Sequence, residues 1–153
     1  MIYGLIFKLI AMKNLLMGAI LLFGVYTIQA QSYDGKGDMK LNIGYDVYGI
    51  GNGIKTTFDY GLGDLFSIGA GVSFYFSNEE DDYFVYARTN VHLSQILDLP
   101  QKLDIYPGVE LGYLSRSDIG FSGYVGIKYF FTERIGIMAE IGNNGSIGVS
   151  INL

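Results

Sequence analysis

The sequence predicts an all-β fold: an eight-stranded antiparallel up-and-down transmembrane β-barrel, preceded by a helical signal peptide. Three observations predict it. Apolar and polar residues alternate through eight successive segments, the period-two signature of strands with one apolar face. The clearest segment, Leu65 to Ser77 (LFSIGAGVSFYFS), is long enough to cross a bilayer, which takes about 9–11 residues of tilted strand. Short runs rich in Gly, Asn, Ser and Asp separate most segments and supply the turns of a meander.

The first element is the leader. Residues 13–30 read KNLLMGAILLFGVYTIQA, with Lys13 as the charged start, Leu15 to Ile28 as the apolar stretch and Ala30 as the small residue at the cut before Gln31. Ile28, three residues before the cut, is larger than the ideal. MIYGLIFKLIA precedes Met12, so Met12 is the expected true start. The chain thus divides into a signal peptide (1–30), a polar, glycine-rich lead-in (31–37) and a barrel domain (38–153). Loss of Lys8 and Lys13 with the leader takes the formal charge from −5 to −7. An acidic chain argues against nucleic acid, which needs a basic face. The absence of cysteine removes disulfide frameworks, thiolate metal sites and cysteine nucleophiles together.

The strands follow in order. Lys40 to Tyr48 sets Leu41, Ile43, Tyr45 and Val47 against Lys40, Asn42, Gly44 and Asp46. GIGNG (Gly49 to Gly53) turns into Ile54 to Leu62, whose polar face carries Lys55, Thr57 and Asp59; GLGD (Gly61 to Asp64) leads to Leu65 to Ser77. After SNEEDD comes Tyr83 to Ser94, with Arg88, Asn90, His92 and Ser94 on the polar face. Gln95 to Gln101 is a longer connection with a short helical turn. Leu103 to Ser115 contains Pro107, which cannot donate to a ladder, so Pro107-Gly108 is expected to form a bulge or kink. SRSD (Ser115 to Asp118), Ile119 to Phe130, Arg134 to Gly142, a GNNG turn and Ser146 to Leu153 complete the set.

Alternation alone does not say which face is inside. An apolar interior gives a soluble lipocalin-like carrier; an apolar exterior gives a membrane barrel. The polar faces carry Lys40, Lys55, Arg88, Lys128 and Arg134 against Asp46, Asp59, Asp104, Glu110 and Glu140, a balance that an enclosed lumen needs because unpaired buried charge is costly. Glycines crowd the same face and leave room for long side chains. Aromatics at Phe58, Tyr60, Phe66, Phe76, Tyr83, Tyr113 and Tyr129 stand near the ends of the apolar face, where girdles meet lipid headgroups. These observations favour the membrane barrel.

Several stretches also carry a resemblance: QAQ at the end of the leader, KGD at Lys36 to Asp38, DYGLGD at Asp59 to Asp64, KLDIYPGVELG at Lys102 to Gly112, and GYVGIKYFFTERIGIMAEIG at Gly123 to Gly142. Over nearly the whole mature chain the sequence resembles the small uncharacterised outer-membrane β-barrel proteins of Gram-negative bacteria. The KYFFTERIG stretch is the most specific part. The resemblance implies an OmpA- or OmpX-like barrel in the bacterial outer membrane; it carries over no activity and no catalytic motif.

The candidate sites lie on the polar face. Arg88, Glu110, Lys128 and Glu140, with Asp46 and Lys55, are expected to form a lumenal ion-pair network that plugs the barrel, since eight strands leave an interior that side chains just fill. His92 and Asp104 are expected to pair across a hairpin. With Ser94 nearby the pair invites a hydrolase reading, but no GxSxG elbow is present, so no catalytic residue is assigned. Glu79, Glu80, Asp81 and Asp82 form an acidic extracellular loop without the spacing of a calcium loop; no metal ligand and no cofactor is assigned. The expectation is therefore a non-enzymatic structural or interaction protein of the outer membrane, monomeric, with lipid and lipopolysaccharide as partners and no nucleic acid or small-molecule substrate. A small passive channel and a soluble periplasmic lipocalin-like carrier are the alternatives.

Overall fold

The structure, a computed structural model, describes residues 30–77 and 79–153. Residues 1–29 of the expected leader (1–30) lie outside the described residues. Eight strands run in chain order: β1 (Met39–Tyr48), β2 (Asn52–Gly61), β3 (Phe66–Phe76), β4 (Asp82–Val91), β5 (Leu103–Leu114), β6 (Gly120–Phe130), β7 (Ile135–Gly142) and β8 (Gly145–Asn152). Each pairs antiparallel with its sequence neighbour, and β1 closes on β8. Closure leaves no sheet edge, so every strand spends its backbone donors and acceptors on a neighbour. That is the condition for a sheet in hydrocarbon.

The faces sort as a membrane barrel and not as a lipocalin-like carrier. Ile43, Ile54, Phe66, Ile68, Phe74, Val85, Leu111, Phe121, Ile137 and Ile147 all stand exposed on the outer wall, as do the seven aromatics of the expected girdles. Lys40, Asn42, Lys55, Thr57, Asp59, Arg88, Asn90, Asp104, Glu110, Lys128 and Glu140 are buried inside. The lumenal aromatics need space, and glycines on adjacent strands supply it. Gly71 pairs with Tyr86, Gly126 with Tyr106 and Gly108 with Tyr124. A Cβ at Gly126 would stand 2.2 Å from the Tyr106 ring, and one at Gly71 2.5 Å from the Tyr86 ring.

Three expectations are corrected. Pro107 forms no bulge: Ile105, Tyr106, Pro107 and Gly108 pair in unbroken register with Ile127, Gly126, Val125 and Tyr124. The β4–β5 ladder ends at Asn90 and Gly108, and the next bond on that side, from Leu93 N to the Ile105 carbonyl, keeps the same register. Backbone groups of alternate residues point the same way, so the donor that Pro107 lacks falls in the gap beyond the end of the ladder. The register shift lies instead between Asp46 and Tyr48 of β1. β4 stops at Val91, which leaves His92 and Ser94 in the following connection. Finally, Arg134 is exposed in the turn before β7, outside the lumen.

The lead-in is part of the fold. Ser32 N donates to the Gln101 carbonyl at 2.7 Å and Gly37 N to the Gly61 carbonyl at 2.8 Å. Ser32 and Tyr33 are thereby buried, and the segment lies across the barrel mouth at the end that holds the β2–β3 and β4–β5 connections.

Candidate functional site

Two groups of polar side chains occupy the middle and the N-terminal mouth of the lumen, while Tyr75, Phe84, Tyr86 and Leu114 pack together toward the other end. At mid-height, register sets Arg88 of β4 opposite Glu110 of β5 and opposite Gly69 of β3. The glycine leaves room for the guanidinium to turn inward. Arg88 Nη2 donates to Glu140 Oε1 at 2.6 Å, Nη1 to Glu110 Oε1 at 3.4 Å, and Nε lies 3.2 Å from Asp59 Oδ1. Lys55 joins from β2, donating to Glu110 at 2.7 Å and Glu140 at 2.9 Å. Tyr106 donates its hydroxyl to Glu140 at 3.0 Å. The guanidinium of Arg88 also lies 4.8 Å from the Tyr124 ring centre, within cation–π range.

The expected network is only partly what the structure brings together. Arg88, Lys55, Glu110 and Glu140 meet. Lys128 sits one layer away, with its ammonium 3.5 Å from Asp59 and 4.8 Å from the Tyr106 ring centre. Asp46 is buried, but neither of its carboxylate oxygens has a hydrogen-bond partner. Asp59 belongs to the site although it is absent from the expected network: it touches Arg88 and Lys128, and accepts from Asn42 at 2.9 Å. Its strand position on the polar face is the signal that could have found it.

At the mouth under the lead-in, His92 Nδ1 lies 2.6 Å from Asp104 Oδ2. The two are diagonal neighbours, because the β4–β5 register sets His92 across from Tyr106. Ser94 is in the turn and takes no part. The hydroxyl beside the imidazole belongs to Ser67 of β3, whose Oγ is 2.8 Å from His92 Nε2. Asn90 Nδ2 donates to the same Oγ at 3.1 Å. Tyr33 lies flat on the imidazole, ring centres 3.5 Å apart and planes inclined by 5°. Its hydroxyl donates to the Gly63 and Phe66 carbonyls at 2.6 and 2.8 Å. Burial, with the carboxylates of Asp38 and Asp104 adding to it, pushes the Tyr33 phenol above its ordinary range. Nothing in the sequence marks Tyr33, which falls in a segment without periodicity.

At the opposite end, Glu79, Glu80 and Asp81 are exposed. Asp82 is engaged: Arg116 Nε donates to it at 2.9 Å and Ser115 Oγ at 3.0 Å. Among the described residues no three His, Asp or Glu side chains converge as a metal-ligand set. Back at the lead-in mouth, of the two residues flanking the expected cut, Ala30 is buried and Gln31 partly exposed, with the Gln31 carbonyl accepting from Asn152 Nδ2 at 3.3 Å.

A family model matches residues 23–147, over the end of the expected leader and nearly all of the barrel. The chain belongs to this family of unknown function, DUF6646. No curated protein matches the DUF6646 chain. Among solved structures it is similar to a de novo designed transmembrane β-barrel, with 16% identity, a TM-score of 0.63, and 78% of this chain and 98% of that chain covered. It is also similar to the N-terminal β-barrel domain of Pseudomonas aeruginosa OprF, with 15% identity, a TM-score of 0.58, and 78% and 100% of the two chains covered. At these identities the likeness is one of fold: the DUF6646 chain has the architecture of transmembrane and outer-membrane barrels.

Proposed function

We propose that this chain is an integral outer-membrane β-barrel protein of a Gram-negative cell, delivered through a cleaved leader, whose role is structural or interactive and whose lumen is closed. The observation that carries the reading is the contrast between the two faces. The outer wall is a continuous apolar belt, while the inner charges are buried against one another, with Arg88 and Lys55 shared between Glu110 and Glu140. A belt of that kind suits lipid chains, and an interior packed with long paired side chains suits a plug. With the N-terminus on the periplasmic side, the Tyr33 mouth faces the periplasm and the acidic loop meets the lipopolysaccharide surface. The expected state is a monomer without cofactor.

The purified mature chain should require detergent, shift on an unboiled gel and give no conductance steps in a planar bilayer. A chain that stays folded and dispersed without detergent would overturn the membrane reading. Discrete channel openings would overturn the closed lumen in favour of a small passive pore.

A further inference from the structure

Ser67, His92 and Asp104 stand in the order of a nucleophile, its base and the carboxylate that orients the base. Ser67 Oγ to His92 Nε2 is 2.8 Å and His92 Nδ1 to Asp104 Oδ2 is 2.6 Å. With its proton on Nδ1, facing the carboxylate, the imidazole leaves Nε2 to accept from the serine hydroxyl. Ser67 is 1% exposed, His92 3% and Asp104 0%. The other oxygen of Asp104 has no hydrogen-bond partner, so this buried carboxylate is directed to the imidazole and is not absorbed into the Arg88 cluster.

A hydrogen-bonded filler would account for the three contacts alone. Two further observations reach beyond it. Asn90 Nδ2, 3.1 Å from Ser67 Oγ, places an amide donor beside the oxygen that would attack, where an oxyanion would develop. And the open face of the imidazole is covered by no strand residue but by Tyr33, from the segment laid across the mouth. Beyond Tyr33, toward the outside, lies a hollow of about 260 Å³ lined by Gln31, Tyr33, Ser94 and Gln101, among others. Tyr33 thus touches His92 of the trio and lines that hollow as well.

We propose that Ser67, His92 and Asp104 form an acyl-transfer site that Tyr33 closes, and that its substrates are esters with a short acyl group, of the size the Tyr33 ring leaves free. Ser67 Oγ bonds to the ester carbonyl carbon while its proton passes to His92 Nε2, and Asn90 Nδ2 donates to the carbonyl oxygen as it becomes negative. The tetrahedral adduct then breaks its bond to the leaving oxygen, which departs as the alcohol with the proton held by His92. Water attacks the acyl-serine in the same way, His92 takes and returns one proton, and the carboxylic acid leaves with Ser67 restored. Asp104 holds the imidazole in place.

The test treats the full mature barrel, folded in detergent, with a fluorophosphonate probe, followed by peptide mapping. The gel shift reports the fold of every variant. The wild-type chain should label slowly at Ser67 and Tyr33→Ala at least ~10-fold faster, while Ser67→Ala should not label. Asp104→Asn should slow labelling by on the order of 10³-fold or more without altering the gel shift, which a filler role would not do. Hydrolysis of a nitrophenyl acetate should follow the same order. A folded Tyr33→Ala barrel whose Ser67 stays unlabelled overturns the proposal, as does equal labelling of Ser67→Ala. Where Tyr33→Ala does not fold, Tyr33→Phe, which keeps the ring and frees it from both carbonyls, takes its place: faster labelling at Ser67 supports the site, and an unlabelled Ser67 overturns it.

Discussion

The middle of the barrel and its N-terminal mouth are filled in different ways. In the middle, each charged side chain comes from a strand and meets partners from other strands: Arg88 of β4 touches Glu110 of β5, Glu140 of β7 and Asp59 of β2. At the mouth, the strands supply Ser67 and the β4–β5 hairpin supplies His92 and Asp104, but the closing group, Tyr33, comes from outside the barrel. The wall fixes the first arrangement. A segment of a few residues, held by backbone bonds to Gln101 and Gly61, holds the second. The middle should therefore govern stability, and the mouth should govern access.

The largest effect is expected from removing a charge in the middle. Arg88→Ala leaves Glu140, Glu110 and Asp59 buried with Lys55 and Lys128 as their remaining cations, and breaking a buried pair costs about 3–5 kcal/mol. Urea unfolding in lipid vesicles should show a loss of that order, with Arg88→Lys recovering part of it because the charge returns without the fork. A midpoint unchanged in Arg88→Ala would mean that the middle is not the stable part of the lumen.

A smaller loss is expected from filling the room left for an inner aromatic. Gly126→Ala puts a Cβ where the Tyr106 ring already stands, 2.2 Å away, and Tyr106 has strand on both sides and Glu140 at its hydroxyl. Overpacking of this kind costs roughly 1–3 kcal/mol. Equal stability of Gly126→Ala and wild type by the same unfolding curve would show that the ring has space to move.

At the mouth, Tyr33→Phe keeps the stacked ring and removes one donor shared by two carbonyls, a change of about 1 kcal/mol. It should alter protection of the lead-in from protease more than the midpoint of the barrel. The phenol also makes the mouth sensitive to alkali. Its value is raised in the folded chain, so its contribution is fully present below the ordinary tyrosine value of about 10 and is lost as pH rises from there toward the folded value. Phenolate absorbance of wild type against Tyr33→Phe should show one tyrosine ionising late, together with exposure of the lead-in. If that tyrosine titrates like the exposed ones, Tyr33 does not close the mouth.

The contrast also explains what can be read from the chain. The balanced charges and glycines of the polar face, with aromatics near the ends of the apolar one, carry the inside-out sorting. Strand alternation carries the eight strands, because a period of two fixes which residues share a face. It carries the meeting of Arg88 with Glu110, which are direct cross-strand partners. It does not carry diagonal contacts between neighbouring strands, such as Asn42 with Asp59 or Ser67 with His92, where the tilt of the strands and the reach of each side chain decide. Ser94 is the nearer serine in sequence, but Ser67, on the neighbouring strand β3, is the one that faces the imidazole. Pro107 reads as a break if its lost donor is charged to a continuous ladder, whereas the ladder on that side ends at Gly108. Tyr33 is invisible in the sequence because the lead-in has no period, and only the closed mouth gives it a partner.

The smallest effect should come from the end opposite the mouth. Arg116 Nε donates to Asp82 at 2.9 Å, and the pair has the geometry of a strong contact. Its surroundings decide otherwise. The Arg116 side chain is 53% exposed, water screens the attraction, and ordering a long side chain at a loop tip offsets much of what remains. Arg116→Ala should leave the unfolding midpoint where it is in wild type, although the same kind of guanidinium–carboxylate contact, moved to the middle, produces the largest loss in the series. If Arg116→Ala instead destabilised the barrel as much as Arg88→Ala, burial would not be what separates the two, and the loop end would have to be counted with the middle as part of the stable lumen.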